Sequence, residues 1–299
     1  MKIIVTGSLG HISKPLTQEL IQKGHSVTVI SSDPENQKDI EALGAKAAIG
    51  TIEDVNFITS TFNGADAVYL MTPPVPFFNR SFNPESYYGN IGNNYAQAIL
   101  QSGIKRVVHL SSIGAHLGKG SGLILYSAHN VENILKALPD EIAITFLRPV
   151  GFYYNLFANM NTIKKQGVIA TNYGADDKVL LVSPMDIAAI VTEEITEYFS
   201  GRKMRYIASE ELTCNEVASI LGEAIGKPDL KWIIVSNEQY QKILETNGMA
   251  PHLAAGMVEM NAATHAGKLY EDYYRSRPTL GNVKLKDFAK EFAAMYNHK

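Results

Sequence analysis

The stretch KIIVTGSLGHIS, residues 2–13, decides the fold of this chain. An apolar run with strand character leads into a Gly-x-x-Gly turn formed by Gly7 and Gly10, and a helical pattern follows. Gly7 can adopt the backbone angles of a tight strand-to-helix turn, and Gly10 has no Cβ to hold a phosphate away from the peptide N–H groups. The stretch therefore indicates a seat for a dinucleotide pyrophosphate.

The surroundings of the turn strengthen this interpretation, because a Gly-x-x-Gly pair alone is also common in ordinary turns. An amphipathic stretch at residues 15–21 follows, and a second strand pattern, SVTVI, occupies residues 26–30. Together these segments predict a complete βαβ unit. The third small position of the turn is Ser13, whose hydroxyl we expect to bond back to the helix.

Strand and helix patterns alternate through the first half of the chain. Nearly continuous apolar runs at residues 46–49, 67–71, 106–110 and 142–147 are typical of parallel strands covered on both faces. Helical stretches at residues 90–102 and 131–138 separate the last three of these apolar runs. We predict an α/β fold with a doubly wound parallel sheet of the Rossmann type in residues 1–150. Residues 151–299 are expected to form a smaller C-terminal α/β domain on the substrate side, with its chain partly returning to the sheet.

Helix starts in the second half are marked by polar residues that can act as N-caps. Helices are expected over residues 186–198 and 213–225, with Asp186 and Thr213 as their caps, and over the amphipathic tail at residues 286–296.

Composition excludes several classes of protein. A formal charge of −3 over 299 residues argues against a nucleic-acid-binding surface. Cys214 is the single cysteine, which predicts a cytoplasmic protein without an internal disulfide, and we interpret it as a packing residue. No apolar run has bilayer-spanning length, and the histidines lack ligand spacing. We therefore expect no membrane segment and no metal site.

A serine and a tyrosine follow the strand at residues 106–110. They are Ser111 and Tyr126, and here the chain resembles the short-chain dehydrogenase/reductase superfamily, in which a serine and a Tyr-x-x-x-Lys motif flank the nicotinamide. In that arrangement the serine holds a substrate carbonyl, the tyrosine moves the proton that accompanies hydride transfer, and the lysine lowers the tyrosine pKa. This chain carries Asn130 at the lysine position, and a neutral amide cannot stabilise a phenolate. His129 beside it is a candidate catalytic residue, or else a surface or capping histidine.

Two further segments narrow the resemblance. LRPVGFYYN at residues 147–155 is similar to a signature of the atypical, NmrA-like branch of that superfamily, and RPTL at residues 277–280 resembles that branch near its C-terminal end. The resemblance covers almost the whole chain and implies an NAD(P)-carrying Rossmann domain, a compact second domain and a cleft between them. Arg148 is expected to be an internal hydrogen-bonding or salt-bridge residue. Of Phe152, Tyr153 and Tyr154, one or two are expected to line a pocket.

The resemblance also implies a set of site residues. Ser111 and Tyr126 would be catalytic, with His129 as a third candidate. The residues expected to contact the dinucleotide are Gly7, Ser8, Leu9, Gly10, His11, Ile12, Ser31, Ser32, Lys38, Met71, Thr72, Pro73, Pro149, Val150, Gly151 and Phe152.

The second strand tip decides between NADP and NAD. NAD-binding proteins of this fold place an acidic residue there, and NADP-binding proteins place a basic residue nearby. This chain has Ser31 and Ser32, followed by Asp33, which comes late for the ribose and can instead cap the next helix. The two hydroxyls with Lys38 can accept a 2′-phosphate, which favours NADP slightly over NAD.

A long segment rich in proline and aromatic residues follows the fourth strand. It reads PPVPFFNR at residues 73–80 and is expected to continue as a loop to Tyr87 and Tyr88. Such a loop borders the ligand crevice at the carboxyl end of a parallel sheet, or is held to the second domain by its aromatic side chains. Polar groups are few, so the segment favours a flat, mostly apolar substrate.

These patterns lead to three functional hypotheses. The first is an NAD(P)H-dependent reductase of a small acceptor such as a quinone or an aromatic carbonyl compound, whose easy reduction needs little acid catalysis. The alternative is a non-catalytic NAD(P)-binding redox sensor that changes its affinity for a protein partner. The third, a nucleotide-sugar epimerase or dehydratase, ranks lowest because such enzymes rely on the complete Tyr-x-x-x-Lys pair.

Overall fold

The computed structural model describes residues 1–298, without the side chain of Ile124. Lys299, the last residue of the predicted second domain, lies outside this range. The strands are β1 (Lys2–Val5), β2 (Ser26–Ser31), β3 (Lys46–Ile49), β4 (Ala67–Leu70), β5 (Arg106–Leu110), β6 (Ala143–Pro149), β7 (Gly151–Phe152), β8 (Val168–Thr171), β9 (Lys178–Val182), β10 (Arg202–Ile207), β11 (Glu210–Thr213) and β12 (Lys231–Ile234). The α-helices are α1 (Ser13–Gln22), α2 (Gln37–Ala42), α3 (Val55–Phe62), α4 (Pro84–Ser102), α5 (Leu123–Lys136), α6 (Met160–Gln166), α7 (Pro184–Thr196), α8 (Cys214–Ala224), α9 (Asn237–Thr246), α10 (Pro251–His265), α11 (Glu271–Ser276) and α12 (Leu285–Asn297).

Seven parallel strands form the main sheet, in the order β10-β6-β5-β4-β1-β2-β3. The register places Ile3 beside Val27 on one side and beside Ala67 on the other. The strand order reverses at β1 and β4, and in doubly wound sheets ligands bind in the crevice at such a switch point. The predicted Rossmann-type fold is therefore confirmed.

Both faces of the sheet are buried, which explains the continuous apolar runs of the strands. Val5 and Val29 pack with Leu16 of α1 and Val191 of α7 in one core. On the other face, a second core joins strand residues to α4 and α5. All four residues of β4 are buried. Burial on both faces is the usual state of a parallel sheet with helical crossovers.

The chain after residue 151 forms two small sheets and also returns to the main one. β10 pairs in parallel with β6 at the edge of the main sheet. The small sheets have the orders β11-β9-β7 and β12-β8. With α8 and α12 they enclose a third core that contains Trp232 and Cys214, and the cysteine is buried as a packing residue. The domain boundary near residue 150 stays a prediction.

Two helices begin six or more residues earlier than the sequence suggests. α4 begins at Pro84, where Asn83 Oδ1 accepts from the N–H of Ser86 at 3.0 Å. Tyr87 and Tyr88 therefore belong to a helix, and the prediction that they continue the loop is wrong. Proline at the first position after an asparagine cap is a strong helix start. α5 likewise begins at Leu123, so the Tyr126 motif lies on its first turns.

The predicted N-caps of the second half have different outcomes. Thr213 caps α8 in a capping box with Glu216, as expected. Asp186 does not cap α7, because Ser183 does so. Asp186 instead lies buried in the first turn of α7, where it accepts hydrogen bonds from the Ser209 hydroxyl and from backbone N–H groups near residue 282. None of the helices within residues 1–298 has the length and hydropathy needed to cross a membrane.

Candidate functional site

The glycine turn at the carboxyl end of β1 has the backbone shape expected of it. Gly7 has a φ of +91°, and Ser8 follows in the left-handed region at +53°. A Cβ built on Gly7 would lie 2.5 Å from Ser13 Oγ and 2.8 Å from Met71 Sδ. A Cβ on Gly10 would lie 3.0 Å from the carbonyl oxygen of Gly7. Only glycine fits the first position, because the backbone angle and the space both exclude a side chain.

The turn leaves backbone donors free for an anion. Within residues 1–298, the N–H groups of Leu9, His11 and Ile12 have no hydrogen-bond acceptor. They lie immediately before α1, where the helix dipole also favours negative charge. Such a cluster of N–H groups fits a pyrophosphate.

Ser13 has a different partner from the one expected. Its hydroxyl donates to the carbonyl oxygen of Thr6 at 2.8 Å, so it bonds to the segment after β1 and not back to the helix. The side chain is buried and fills the space beside Gly7. The serine therefore fixes the distance between helix and strand that a glycine usually sets in this position.

The second strand tip has one buried and two exposed candidate residues. Ser31 is buried, accepts from the Ser8 hydroxyl at 2.9 Å and donates to the carbonyl oxygen of Asp33 at 3.0 Å. Its hydroxyl is thus engaged within the protein. Ser32 and Lys38 are exposed. Asp33 caps the short helix that follows, as the sequence suggested. Ser32 and Lys38 stay the candidates for a 2′-phosphate.

The segment after β4 lies beside the glycine turn at the switch point. The N–H of Met71 donates to Thr6 Oγ1 at 2.9 Å, and the hydroxyl of Tyr95 donates to the carbonyl oxygen of Met71 at 2.7 Å. The hydroxyl of Tyr88 donates to the carbonyl oxygen of Pro73 at 2.7 Å. Three side chains thus hold the backbone of residues 71–73, and Thr72 between them is partly exposed.

Residues 149–152, which are expected to contact the dinucleotide, begin at the end of β6 and continue without a break. Pro149 ends β6, and its carbonyl oxygen accepts from the N–H of Ile113 at 2.9 Å. The N–H of Val150 donates to the carbonyl oxygen of Ile207 at 3.0 Å. Gly151 and Phe152 form β7 and pair with β9. The segment is thus anchored on both sides, while Gly151 and Phe152 remain partly exposed.

An aromatic row connects the glycine turn to this segment. The rings of His11 and Tyr154 are stacked, with centroids 4.8 Å apart and planes 24° apart. The Tyr154 ring lies 5.0 Å from the ring of Phe152. Burial raises the pKa of the Tyr154 hydroxyl to about 12. Of the aromatic residues at 152–154, Tyr153 belongs to the core, and the other two form this row.

Ser111 is attached to a buried ion pair. Its hydroxyl donates to Glu132 Oε1 at 2.6 Å. Arg148 binds the same carboxylate with two hydrogen bonds, of 2.9 Å from Nε and 2.7 Å from Nη2. Glu132 is fully buried and Arg148 is 2% exposed. Arg148 is thus the internal salt-bridge residue that the sequence analysis expected.

The ion pair fixes the charge of Glu132. Burial on its own would raise the pKa of this carboxyl, but the hydrogen bonds and charge of Arg148, with bonds from Lys136 and Ser111, lower it to about 2. Sequence reasoning missed Glu132, because its one visible signal is the spacing of four to Lys136, which is typical of an exposed helix pair.

Tyr126 and His129 lie together on α5. Their rings are roughly parallel, with centroids 6.2 Å apart. His129 Nδ1 lies 2.9 Å from the carbonyl oxygen of Ala115, and Asn133 Nδ2 lies 2.8 Å from Nε2. A carbonyl oxygen only accepts, so Nδ1 of His129 donates to Ala115. Both ring nitrogens are engaged, as in a structural histidine.

A different lysine lies near Tyr126. Asn130 occupies the position where the family motif has lysine. Lys119 Nζ, from the segment before α5, lies 5.4 Å from the centroid of the Tyr126 ring. A cation at this distance from an aromatic face is attracted to it by about 0.5–1 kcal/mol when exposed. The structure thus supplies a positive charge to Tyr126 from outside the motif.

The loop at residues 73–83 is attached to the second half of the chain through its backbone. The carbonyl oxygen of Phe77 accepts from the N–H of Ala250 at 2.8 Å, and the carbonyl oxygen of Phe82 accepts from His252 Nε2 at 2.8 Å. Phe78 is 73% exposed. Two backbone carbonyl oxygens thus attach the loop to the second half of the chain, and the Phe82 side chain packs against the second core. That the aromatic side chains also hold the loop to the second domain stays a prediction.

The acidic cluster within residues 1–298 consists of Glu193, Glu194 and Glu197. Arg205 binds the first two at 2.7 Å, and Lys203 lies 2.9 Å from Glu194 and 3.2 Å from Glu197. The cluster is thus an ion-pair network on α7, and we assign no metal to it.

Comparison with known proteins agrees with the fold and the turn. The model of the NmrA-like family matches residues 1–283. An NAD(P)H azoreductase from Xenophilus azovorans is 24% identical over 267 residues, which cover 87% of this chain and 86% of that protein.

Two solved structures share the architecture over nearly their full length. The triphenylmethane reductase of Citrobacter sp. has a TM-score of 0.78 and 20% identity, with 99% of this chain and 100% of that chain covered. The NADPH-dependent quinone oxidoreductase of Escherichia coli, complexed with NADPH, has a TM-score of 0.79 and 19% identity, with 97% and 99% covered.

Proposed function

This chain belongs to the NmrA-like family, and from that premise we propose that it is an NAD(P)H-dependent reductase of a small, mostly apolar aromatic acceptor such as a quinone. The observation that carries the proposal is the glycine turn at the switch point, where the N–H groups of Leu9, His11 and Ile12 are free. The dinucleotide fits this turn, because Gly7 and Gly10 leave room for phosphates and α1 points its N-terminus at them. The azoreductase similarity over most of both chains supports the same chemistry.

Different residues of this chain bind the cofactor and transfer the proton. The reduced nicotinamide supplies the hydride. The turn holds the pyrophosphate, and the anchored segment Pro149 to Phe152 borders the nicotinamide end of the cleft. Tyr126 delivers the proton that follows the hydride, directly or through water, with Lys119 as the nearby cation. An easily reduced acceptor needs little of this acid catalysis, which is compatible with Asn130 at the lysine position.

The acceptor class follows from the aromatic row. Phe152 and Tyr154 are partly exposed and lie beside the glycine turn, where His11 stacks on Tyr154. An offset-stacked aromatic pair is worth about 0.5–1.5 kcal/mol beyond its area. A flat ring therefore gains more here than a sugar does. The partner of the protein is accordingly a small molecule.

The choice between the two dinucleotides rests on exposed groups. Ser32 and Lys38 are exposed at the tip of β2, while the carboxylate of Asp33 caps a helix. This arrangement favours NADP slightly over NAD. A cytoplasmic location remains part of the proposal and rests on the single, buried Cys214.

A non-catalytic NAD(P)-binding sensor is the second candidate, and one observation favours it. The side chains of Ser111 and His129 form hydrogen bonds within the protein, so two of the three candidate catalytic side chains already have partners. Binding of the dinucleotide needs only the glycine turn. A dinucleotide that binds one of two conformations more tightly increases the population of that conformation, and a protein partner can recognise it.

Steady-state oxidation of NADH and NADPH with different acceptor classes tests the proposal. We expect naphthoquinones and aromatic azo dyes to oxidise the cofactor in the presence of the protein, and nucleotide sugars to be unchanged. A Tyr126→Phe variant should retain cofactor binding and lose part of the rate. Consumption of a nucleotide sugar, with no oxidation by aromatic acceptors, would contradict the proposal.

A further inference from the structure

The hydroxyl of Ser111 has a single hydrogen, and this hydrogen is used in a hydrogen bond within the protein. Ser111 Oγ lies 2.6 Å from Glu132 Oε1, a short hydrogen bond to a carboxylate. Carboxylates only accept when ionised, so the hydrogen belongs to Ser111 and points at Glu132. Hydrogen bonds with a charged partner are about twice as strong as neutral ones.

The carboxylate cannot turn away from Ser111. Arg148 holds it from Nε and Nη2, and Lys136 Nζ lies 2.7 Å from its second oxygen. Arg148 is itself fixed by the Tyr206 hydroxyl at 2.9 Å. A hydrogen bond to a buried charged group costs more to break than a neutral one, so the Ser111 hydroxyl does not leave Glu132 to donate elsewhere.

Ser111 can therefore accept a further hydrogen bond but cannot donate one. The residue directly follows β5 at the carboxyl edge of the sheet and is partly exposed, and no group within residues 1–298 donates a hydrogen bond to its oxygen. A substrate carbonyl is also an acceptor, and two acceptors do not bond. A serine that only accepts needs an N–H or O–H donor as its ligand.

We propose that Ser111 accepts a hydrogen bond from the carboxamide N–H of the nicotinamide, and does not hold the carbonyl of the substrate. The inference rests on the proposed function. Oxidised quinones and azo dyes carry no required N–H, whereas the nicotinamide ring carries an amide with two. Ser111 is then a specificity residue for the cofactor, and its partner Glu132 positions it.

The test compares the reduced dinucleotide that the protein binds more tightly, NADPH or NADH, with its reduced 3-acetylpyridine analogue, in which a methyl ketone replaces the carboxamide and no N–H remains. Calorimetric titration without an acceptor measures both dissociation constants. We expect the wild-type protein to bind the natural dinucleotide roughly tenfold more tightly, because the ketone oxygen of the analogue faces the serine oxygen without a donor. Ser111→Ala should reduce the preference to about twofold or less, and Ser111→Thr should retain it.

Ser112→Ala is the matched control. Its side chain makes no hydrogen bond within the described residues, so the tenfold preference should persist in this variant. Circular dichroism verifies that each variant is folded. Equal binding of the two nucleotides by the wild-type protein, or an undiminished preference in Ser111→Ala, overturns the inference while leaving the reductase proposal standing. Failure of the wild-type protein to bind either nucleotide overturns both.

Discussion

Replacement of Arg148 by methionine should destabilise the protein by about 3 kcal/mol at neutral pH. Glu132 is fully buried, and Arg148 supplies two of its hydrogen bonds. Removing one partner of a buried pair costs about 3–5 kcal/mol, because the other charge is left uncompensated. Lys136 and Ser111 still contact Glu132 in the variant, so the lower end of that range applies.

The pH dependence of this loss has a definite sign. In the wild-type protein the carboxyl pKa of Glu132 is about 2, below its ordinary value of 4.5. The ion pair therefore contributes stability that is complete above pH 4.5 and is lost as the pH falls through 2. Without Arg148, burial raises the pKa of Glu132, so the variant is penalised most at neutral pH and less once Glu132 is protonated. The two unfolding curves should converge as the pH falls.

Urea unfolding followed by far-ultraviolet circular dichroism measures both effects. Trp232 fluorescence, from the separate third core, reports whether the whole chain unfolds together. The control is Arg148→Met combined with Glu132→Leu, which removes both charges and should recover most of the loss. A loss under about 1 kcal/mol in the single variant, or a double variant no more stable than it, would refute the reasoning.

The remaining predictions concern the turn, a buried histidine and the aromatic row. Gly7→Ala should abolish binding of the reduced dinucleotide, because its Cβ would collide with the side chains of Ser13 and Met71. Gly24→Ala, at a φ of +82° with open space around it, should bind the dinucleotide normally, and titration of both variants decides this. His109 is buried, and burial lowers its pKa from 6.5 to about 4, so the wild-type protein should lose about 3 kcal/mol as the pH falls from 6.5 through 4. In His109→Phe this loss should disappear. Denaturation at several pH values measures the free energy of unfolding, and the same pH dependence in the variant as in the wild-type protein would contradict the prediction. Tyr154→Leu should raise the KM for aromatic acceptors several-fold and Tyr154→Phe should not, since only the first removes the stacking ring; equal KM values in both would contradict this role.

Local rules made the glycine turn predictable from sequence. Gly7 requires a positive φ, and this requirement depends on a few neighbouring residues. The alternation of strands and helices was also predictable, because strands that are buried on both faces of a parallel sheet appear as continuous apolar runs. The start of α4 was missed although asparagine before proline, here Asn83 and Pro84, is typical of a helix start, because the aromatic residues nearby favoured a loop interpretation.

Long-range pairing limited the prediction of the site. Arg148 was expected to be internal, yet its partner Glu132 lies on another element. The i,i+4 spacing of Glu132 to Lys136 is in addition typical of an exposed helix pair. The direction of the Ser111 hydrogen bond depends on that buried charge, so no local pattern around Ser111 reveals it. The stacking of His11 on Tyr154 likewise joins residues far apart in the chain.

The most direct test of the central claim is a titration followed by rapid mixing. Nucleotide-stripped protein is titrated by calorimetry with NADPH, NADH, NADP and NAD, and the tightest reduced complex is mixed with quinones in a stopped-flow instrument. We predict rapid, acceptor-dependent loss of the reduced-nicotinamide absorbance. Tight binding of the dinucleotide with no oxidation by any acceptor would contradict the reductase and favour the sensor.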